Sequence, residues 1–389
     1  MVERHRDIDR HLDFDIDAAC AGLRDALLQT RGLGRRALIT ALGRTLAGSA
    51  VLAMLPRAMP TTASAAEQPV TAFVFGGVWK KSAMAAFGEP FTKKTSIPMV
   101  YQDPYTFAKL RAMHEAKAMQ VDVVSVQGGE IFQAKRMNML MPLDFNVIDR
   151  SVLSEKQLRH GNAIGVHTLS YVICYNKKKW PGEHHPKSWA DFWDVQAFPG
   201  RRVLRREEIW TSEAALKADG IKDDEFYPLD VARAFRSLDR IKPHIKAWYY
   251  DNSQAQQLME QEEVDLIAMM NGRATESILN AKAPFEIVWN EAICEGGVQG
   301  WIAPVGCPNP KGAMKFLDIV GRAEYQAVFA RLMYYAPQNP KAFDLLEPEL
   351  AKLMPTYPEN EKIAHIINFE WWADNLPMMQ RRFQQWLQS

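Results

Sequence analysis

The chain has 389 residues, 47% of them hydrophobic, with 47 Lys plus Arg against 46 Asp plus Glu. Such near-cancellation excludes a large field of one sign, of the kind that draws a protein to nucleic acid or an anionic membrane, so any partner has to be chosen by a local site. No G-x-G-x-x-G, P-loop, H-E-x-x-H, G-x-S-x-G or C-x-x-C pattern occurs, and no cofactor is expected.

The chain opens on an export-signal pattern. Arg35-Arg36 begins a basic region, Thr45 to Leu55 is a short apolar core, and Ala63-Ser64-Ala65-Ala66 supplies the small residues of a cleavage site before Glu67. The arginine pair, followed after one residue by Leu38 and Ile39, resembles a twin-arginine signal. The apolar run is far shorter than the roughly 18 to 20 residues that cross a bilayer, so a cleaved leader is expected rather than a retained anchor. With residues 1–66 removed, about 320 residues remain, more than one core usually serves. A periplasmic monomer of two lobes is expected. Cys20 lies in the leader. Of Cys174, Cys294 and Cys307, the last two are the most economical disulfide, although three buried small hydrophobes is the favoured reading.

Val70 to Phe75 reads as a strand stopped by Gly76-Gly77, followed by a helix broken at Pro90. Strands at Ile97 to Tyr101 and Val121 to Val126 flank a helix from about Thr106 to Ala118, and Gly128-Gly129 closes the third strand. Alternating β and α units imply a largely parallel sheet covered by helices, whose ligands bind beyond the carboxyl ends of the strands. The run Tyr171 to Tyr175 opens a new lobe. Ser188 caps a helix over Trp189 to Trp193, Phe198-Pro199-Gly200 turns, and Arg201 to Leu204 feeds the next helix. Helices are predicted at about 230–241, 253–262 and 273–281, with strands at 247–250, 264–269 and 285–289. Asn309-Pro310 starts a helix to about Val320. From Asn368 to Ser389 a stripe of Phe369, Trp371, Trp372, Leu376, Met379, Phe383, Trp386 and Leu387 is expected to pack a last helix on a core.

Several of these segments, in this order, resemble the bacterial extracellular solute-binding proteins of polyamine-type ABC importers. They are Ser188 to Trp193 with Phe198-Pro-Gly200, Met269-Met-Asn-Gly272, Val288-Trp289, Glu295-Gly-Gly297, Asn309 to Ala313 and Glu370 to Asn375. The resemblance implies a type II periplasmic binding-protein fold, two α/β lobes joined by crossovers near 165–171 and 297–302. Residues 67–165 would form lobe 1, 166–297 lobe 2, and 298–389 a return to lobe 1 with the C-terminal helices. The implied partners are a small solute and a membrane permease, without nucleic acid.

Carried onto this chain, the resemblance puts Trp79, Gln127 and Gly128 in the first lobe's ligand loops, Glu207 and Trp210 after the turn, Tyr250-Asp251 and Asn271 in the second lobe, and Gln299 near the hinge. Of Trp248, Tyr249 and Tyr250, alternation lets only alternate residues share a face, and Tyr250 is the one expected in the cleft. Trp289 and Trp301 fit core or pocket equally. Arg205, Arg206 and Arg273 depart from a polyamine site, because guanidinium groups suit carboxylate or phosphate. Two placements stay open for them: in the cleft, gripping an anionic group such as that of an opine or amino acid conjugate, or outward on helix starts, paired with Glu207, Glu208 or Glu276. Two other classes are weaker. A ferric carrier would use Tyr249-Tyr250 or Tyr334-Tyr335, while His184-His185 offers too few ligands for a specific metal site. An enzyme on the same scaffold would need Cys174 as nucleophile, and its apolar neighbours indicate burial instead.

Overall fold

The computed structural model describes residues 68–389; the leader pattern, with Cys20, Arg35 and Arg36, lies outside them. Within that span the chain builds two mixed six-stranded sheets. The first holds β1 (Val70–Phe73), β2 (Met99–Gln102), β3 (Val123–Val126) and β4 (Ile164–Thr168), joined later by β10 (Gln299–Ile302) and β11 (Ala336–Pro337). The second holds β5 (Ser170–Asn176), β6 (Arg202–Arg205), β7 (Ile245–Tyr249), β8 (Leu266–Met270), β9 (Phe285–Cys294) and β12 (His365–Ile366). Strand orders are β11-β4-β10-β3-β1-β2 and β12-β9-β5-β8-β6-β7.

The parallel core of each sheet is the part the sequence pattern indicates. β1 pairs in parallel with β2 and β3, and β6 with β7 and β8. The continuous apolar runs of β3 and β8 are buried along their whole length, as expected where helices cover both faces. Thr106 caps the helix Phe107–Glu115, Ser188 the helix Trp189–Trp193 and Asn309 the helix Pro310–Gly321, each by accepting an orphan backbone N–H.

Only Leu169 separates β4 from β5, so the first crossover is a nearly straight passage between sheets. Residues 295–298 make the second. A third passage, absent from the two-crossover expectation, runs from β11 to β12, which pairs with β9 through His365↔Ile293. The C-terminal helix Phe369–Gln388 then touches both lobes. Asp374 pairs with Arg136 of the first lobe, while Trp372 donates its indole N–H to Glu213 of the second at 2.6 Å.

The segment Arg201 to Leu204, expected to feed the next helix, enters strand β6 at Arg202, and β6 leads to the helix Glu208–Ala218. Arg202 can lie there almost wholly buried because its guanidinium donates to the carbonyls of Phe192, Asp194, Phe198 and Gly200. Of the two readings of the cysteines, the favoured one fits: Cys174, Cys294 and Cys307 are free and buried, and no Cys294–Cys307 bridge forms. Burial pushes the Cys174 thiol well up, leaving no thiolate for nucleophilic work.

Candidate functional site

The carboxyl ends of β6, β7 and β8 point toward the crossovers, and buried charges gather there. Arg205 closes β6. Its backbone N–H donates to the Tyr171 hydroxyl at 3.0 Å, its Nη1 donates to Asn252 Oδ1 at 2.8 Å, and its Nε pairs with Glu207. The guanidinium lies over the Tyr249 ring, 5.8 Å from the centroid, and the Tyr249 hydroxyl donates to the Ala268 carbonyl at 2.9 Å. Arg273, on the first turn of the helix Asn271–Leu279, donates to Glu276 at 2.5 Å and bonds to Tyr335. Neither arginine points outward. Their side chains are 17% and 13% exposed, whereas Arg206 is exposed. Burial opposes the charge on both guanidinium groups, and Glu207, Glu276 and the nearby phenols more than offset it.

The first lobe and the hinge supply an aromatic wall. Trp79 packs against Phe75, His167, Trp301 and Phe329, with ring centroids 5.4 to 6.4 Å apart. His167 stacks on Tyr335 at 5.3 Å, so the wall runs from Trp79 to the partner of Arg273. Burial lowers His167 to about 3 and keeps it neutral. Tyr171 stacks on Trp189 and leans on Trp210. Between these groups sit Glu295 and Gln299, with Gln299 Nε2 donating to Glu295 Oε1 at 2.9 Å.

Of the residues expected at the site, Trp79, Glu207, Arg273 and Gln299 are brought into this cluster. Trp210 is adjacent but buried between Tyr171 and Phe369. The others are used elsewhere. Asn271 accepts from Ser170 N–H at 3.0 Å and donates to the Tyr334 carbonyl at 2.8 Å, which ties the crossover to the β11 segment. Gly128 has φ +49° and lies under Phe369, where a Cβ would come within 2.9 Å of the ring, so it seats the C-terminal helix. Gln127 is exposed and donates its N–H to Glu130. Asp251 caps the helix Asn252–Glu260. Tyr250 is 76% exposed, and Tyr249 is the residue turned toward Arg205. Trp301 packs on Phe316 in the core as well as on Trp79. Tyr171, Tyr249, Glu295 and Tyr335 were not singled out for the cleft from sequence. The usable signal was a hydroxyl or carboxylate placed inside an otherwise apolar strand or hinge run.

Alternation along β4, β5 and β9 divides the crossovers into two faces. His167, Tyr171 and Glu295 serve the cluster. Thr168 and Cys294 line, on the other side, a cavity of about 800 Å³ with Gln338, Phe343 and Tyr357. Burial pushes the phenols of Tyr249 and Tyr335 up, away from the phenolate a ferric ion needs. Among the described residues no group of three or more His, Cys, Asp or Glu is gathered for a metal ion, and no helix is long and apolar enough to cross a membrane.

Two α/β lobes joined by crossovers, with buried charge and aromatic rings collected between them, define a binding protein of the periplasmic two-lobed class. The family of bacterial extracellular solute-binding proteins matches over residues 85–362, and the chain belongs to it. It is therefore the solute-binding component of an ABC transporter and not an enzyme. A gamma-aminobutyric acid (GABA)-binding protein of Pseudomonas aeruginosa is 29% identical over 342 residues, covering 86% of this chain and 95% of that one. The spermidine/putrescine-binding periplasmic protein of Escherichia coli is 26% identical over 313 residues, covering 76% and 85%. Among solved structures, a GABA receptor superposes with a TM-score of 0.75 at 32% identity, covering 82% and 97%. A binding protein of A. tumefaciens in complex with agropinic acid gives 0.70 at 29%, covering 83% and 99%.

Proposed function

We propose that this protein captures a small amino-carboxylate solute, of the GABA or opine kind, and delivers it to an inner-membrane ABC permease. The observation that carries this reading is the pair of buried guanidinium groups, Arg205 and Arg273, at the carboxyl ends of β6 and β8, with Tyr335 close to both. A planar fork recognises a carboxylate in two-point contact. An open-chain polyamine brings no anionic group for either guanidinium to grip. Trp79 and Tyr335 form the wall along the ligand's carbon chain, and Glu207 holds Arg205 in register. GABA and agropinic acid, the ligands of two similar proteins, carry the required carboxylate. Gln299 borders the same cluster. Gln127, Gly128, Trp210, Tyr250, Asp251 and Asn271 act at a distance from the solute, through helix seating, capping and the hinge.

Residues 1–66 serve as a leader removed on export, with Arg35-Arg36 directing the twin-arginine route, and the mature protein works as a periplasmic monomer. N-terminal sequencing of the exported protein and loss of export in the Arg35→Lys, Arg36→Lys double variant test that part.

Calorimetric titration with GABA, agropinic acid and putrescine tests the ligand class. The carboxylates are expected to bind and to lose roughly 100-fold or more in affinity in Arg205→Gln, the scale for removing one partner of a buried charge contact. Tight putrescine binding that persists in Arg273→Ala overturns the reading.

A further inference from the structure

The hinge places a carboxylate with an unused oxygen at the edge of this cluster. Glu295 is 4% exposed. Its carboxyl takes the Gln299 amide on Oε1 at 2.9 Å and is approached by the Leu169 backbone N–H, while its Oε2 is buried without a hydrogen-bond partner. Among the described residues no Lys, Arg or His lies within ion-pair distance of it. The charged and titratable groups that face it are Glu207, of like sign, the buried Cys294 thiol, which burial keeps protonated, and the Tyr335 phenol, which itself faces Arg205 and Arg273. A buried carboxylate in that setting has two stable states: neutral, holding a proton, or ionised, opposite a cation that arrives with the solute.

We propose that Glu295 is the counter-charge for the ammonium end of the solute and that it assumes this role by releasing a proton to solvent as the solute enters. The inference rests on the amino-carboxylate reading above and adds the group that holds the other end. The balance is simple: a neutral carboxyl and a bound-state ammonium exchange for a carboxylate–ammonium pair plus one proton taken up by buffer, with no covalent change. Burial raises Glu295 to about 8, against hydrogen bonds from Gln299 and the Leu169 backbone that lower it and with a further push from Glu207, so the unliganded group holds its proton at neutral pH. The geometry also separates the two solute ends. Arg205 and Arg273 close the second lobe's side of the cluster, whereas Glu295 sits in the crossover between sheets. A solute with both charges would therefore span the hinge, and one with a single charge would engage only half of it.

The test is titration of the intact mature protein with GABA at pH 7 in phosphate and in Tris, whose ionisation enthalpies differ widely. The expected result is release of about 0.9 proton per GABA bound, with affinity rising roughly fivefold from pH 7 to pH 8 and levelling above that. In Glu295→Gln, shown folded by its thermal midpoint, proton release is expected to vanish and the affinity to become flat with pH. The two-buffer measurement on the unsubstituted protein stands by itself if that variant does not fold. GABA binding with no proton exchange, or proton release that persists in Glu295→Gln, overturns the role of Glu295 and leaves the amino-carboxylate reading intact. If neither GABA nor agropinic acid binds, the amino-carboxylate reading is overturned and the role of Glu295 falls with it.

Discussion

Behind the second sheet and between the two sheets the protein buries acidic clusters of equal depth and opposite completeness. Behind the sheet, Glu213 has every oxygen engaged: His365 Nε2 at 2.7 Å on one, the Trp372 indole at 2.6 Å and the Tyr227 hydroxyl on the other. His365 in turn meets Asp223 at 2.6 Å through Nδ1. Between the sheets, Glu295 keeps one oxygen unpartnered and has a like charge for a neighbour. The same division separates two arginines on one strand. Arg202, at the start of β6, is saturated by main-chain carbonyls; Arg205, at its end, is held by side chains. Rigid groups fix the rear of the lobe, and adjustable ones collect where the lobes meet. Completeness of hydrogen bonding thus distinguishes scaffold from site better than burial does.

Removing a carboxylate from each cluster should break this comparison if it is wrong. Glu213→Ala leaves a protonated His365 opposite an empty partner position and strips bonds from Tyr227 and Trp372, so a loss of about 3 to 5 kcal/mol in unfolding free energy is expected by denaturant titration. Glu295→Gln should instead hold or raise stability at pH 8, because its raised pKa makes ionisation in the folded state unfavourable. Equal losses at both positions would erase the distinction. Next in size is the arginine pair. Arg202→Gln should lower the melting temperature with little change in solute affinity, since its carbonyl partners belong to the turn after Trp193. Arg205→Gln should reverse that pattern, with folding retained and binding lost.

Both clusters also give a pH dependence of the same sign for different reasons. His365 is raised by its two carboxylate partners, against burial. Its contribution is full below the unfolded histidine pKa of about 6.5 and is lost as pH rises through the folded value. Glu295, raised by burial to about 8, favours the folded state fully below the unfolded carboxyl pKa of about 4.3 and loses that contribution as pH rises to 8. Their joint contribution should therefore fall as pH rises, opposed below about pH 6.5 by His160 and His167, which burial lowers to about 4 and about 3, so the readout is the difference between each variant's melting curve and that of the unsubstituted protein. His365→Gln is expected to flatten the upper part of the curve and Glu295→Gln the middle, and unchanged curves in both would refute the two assignments.

The fold was legible because it rests on local patterns. Apolar runs at Val123 to Val126 and Leu266 to Met270, with caps at Ser188 and Asn309, indicate alternating strands and helices without reference to distant residues. β6 was harder. Only the carbonyls of the helix end at Phe192 and of the turn through Asp194, Phe198 and Gly200 allow Arg202 to be buried. The site was legible in kind, through the arginines and Trp79, but not in membership. Gly128 serves Phe369, some 240 residues later in the chain, and Asn271 serves Ser170 and Tyr334, contacts that no spacing announces. Glu295 opens one of the segments that carry the family resemblance, yet its character depends on what fails to reach it, which a sequence does not display.

The smallest expected effect concerns the parity of β7. Alternation correctly restricts which of Trp248, Tyr249 and Tyr250 share a face, but leaves open which face meets the cluster. Arg205 decides it: β6 and β7 pair in parallel with Arg205 opposite Tyr249, so the guanidinium lies over that ring and Tyr250 continues past the strand end into solvent. Tyr250→Ala should change GABA affinity by less than about twofold and leave the melting temperature within a degree or two, as for other exposed substitutions. Tyr249→Phe removes the hydroxyl that the Ala268 carbonyl accepts from and should cost about 1 kcal/mol of stability. A binding loss confined to Tyr250→Ala would mean that the loop after β7 folds over the solute, and the line between an adjustable cluster and a solvent-facing rim would then have to be redrawn one residue further along the chain.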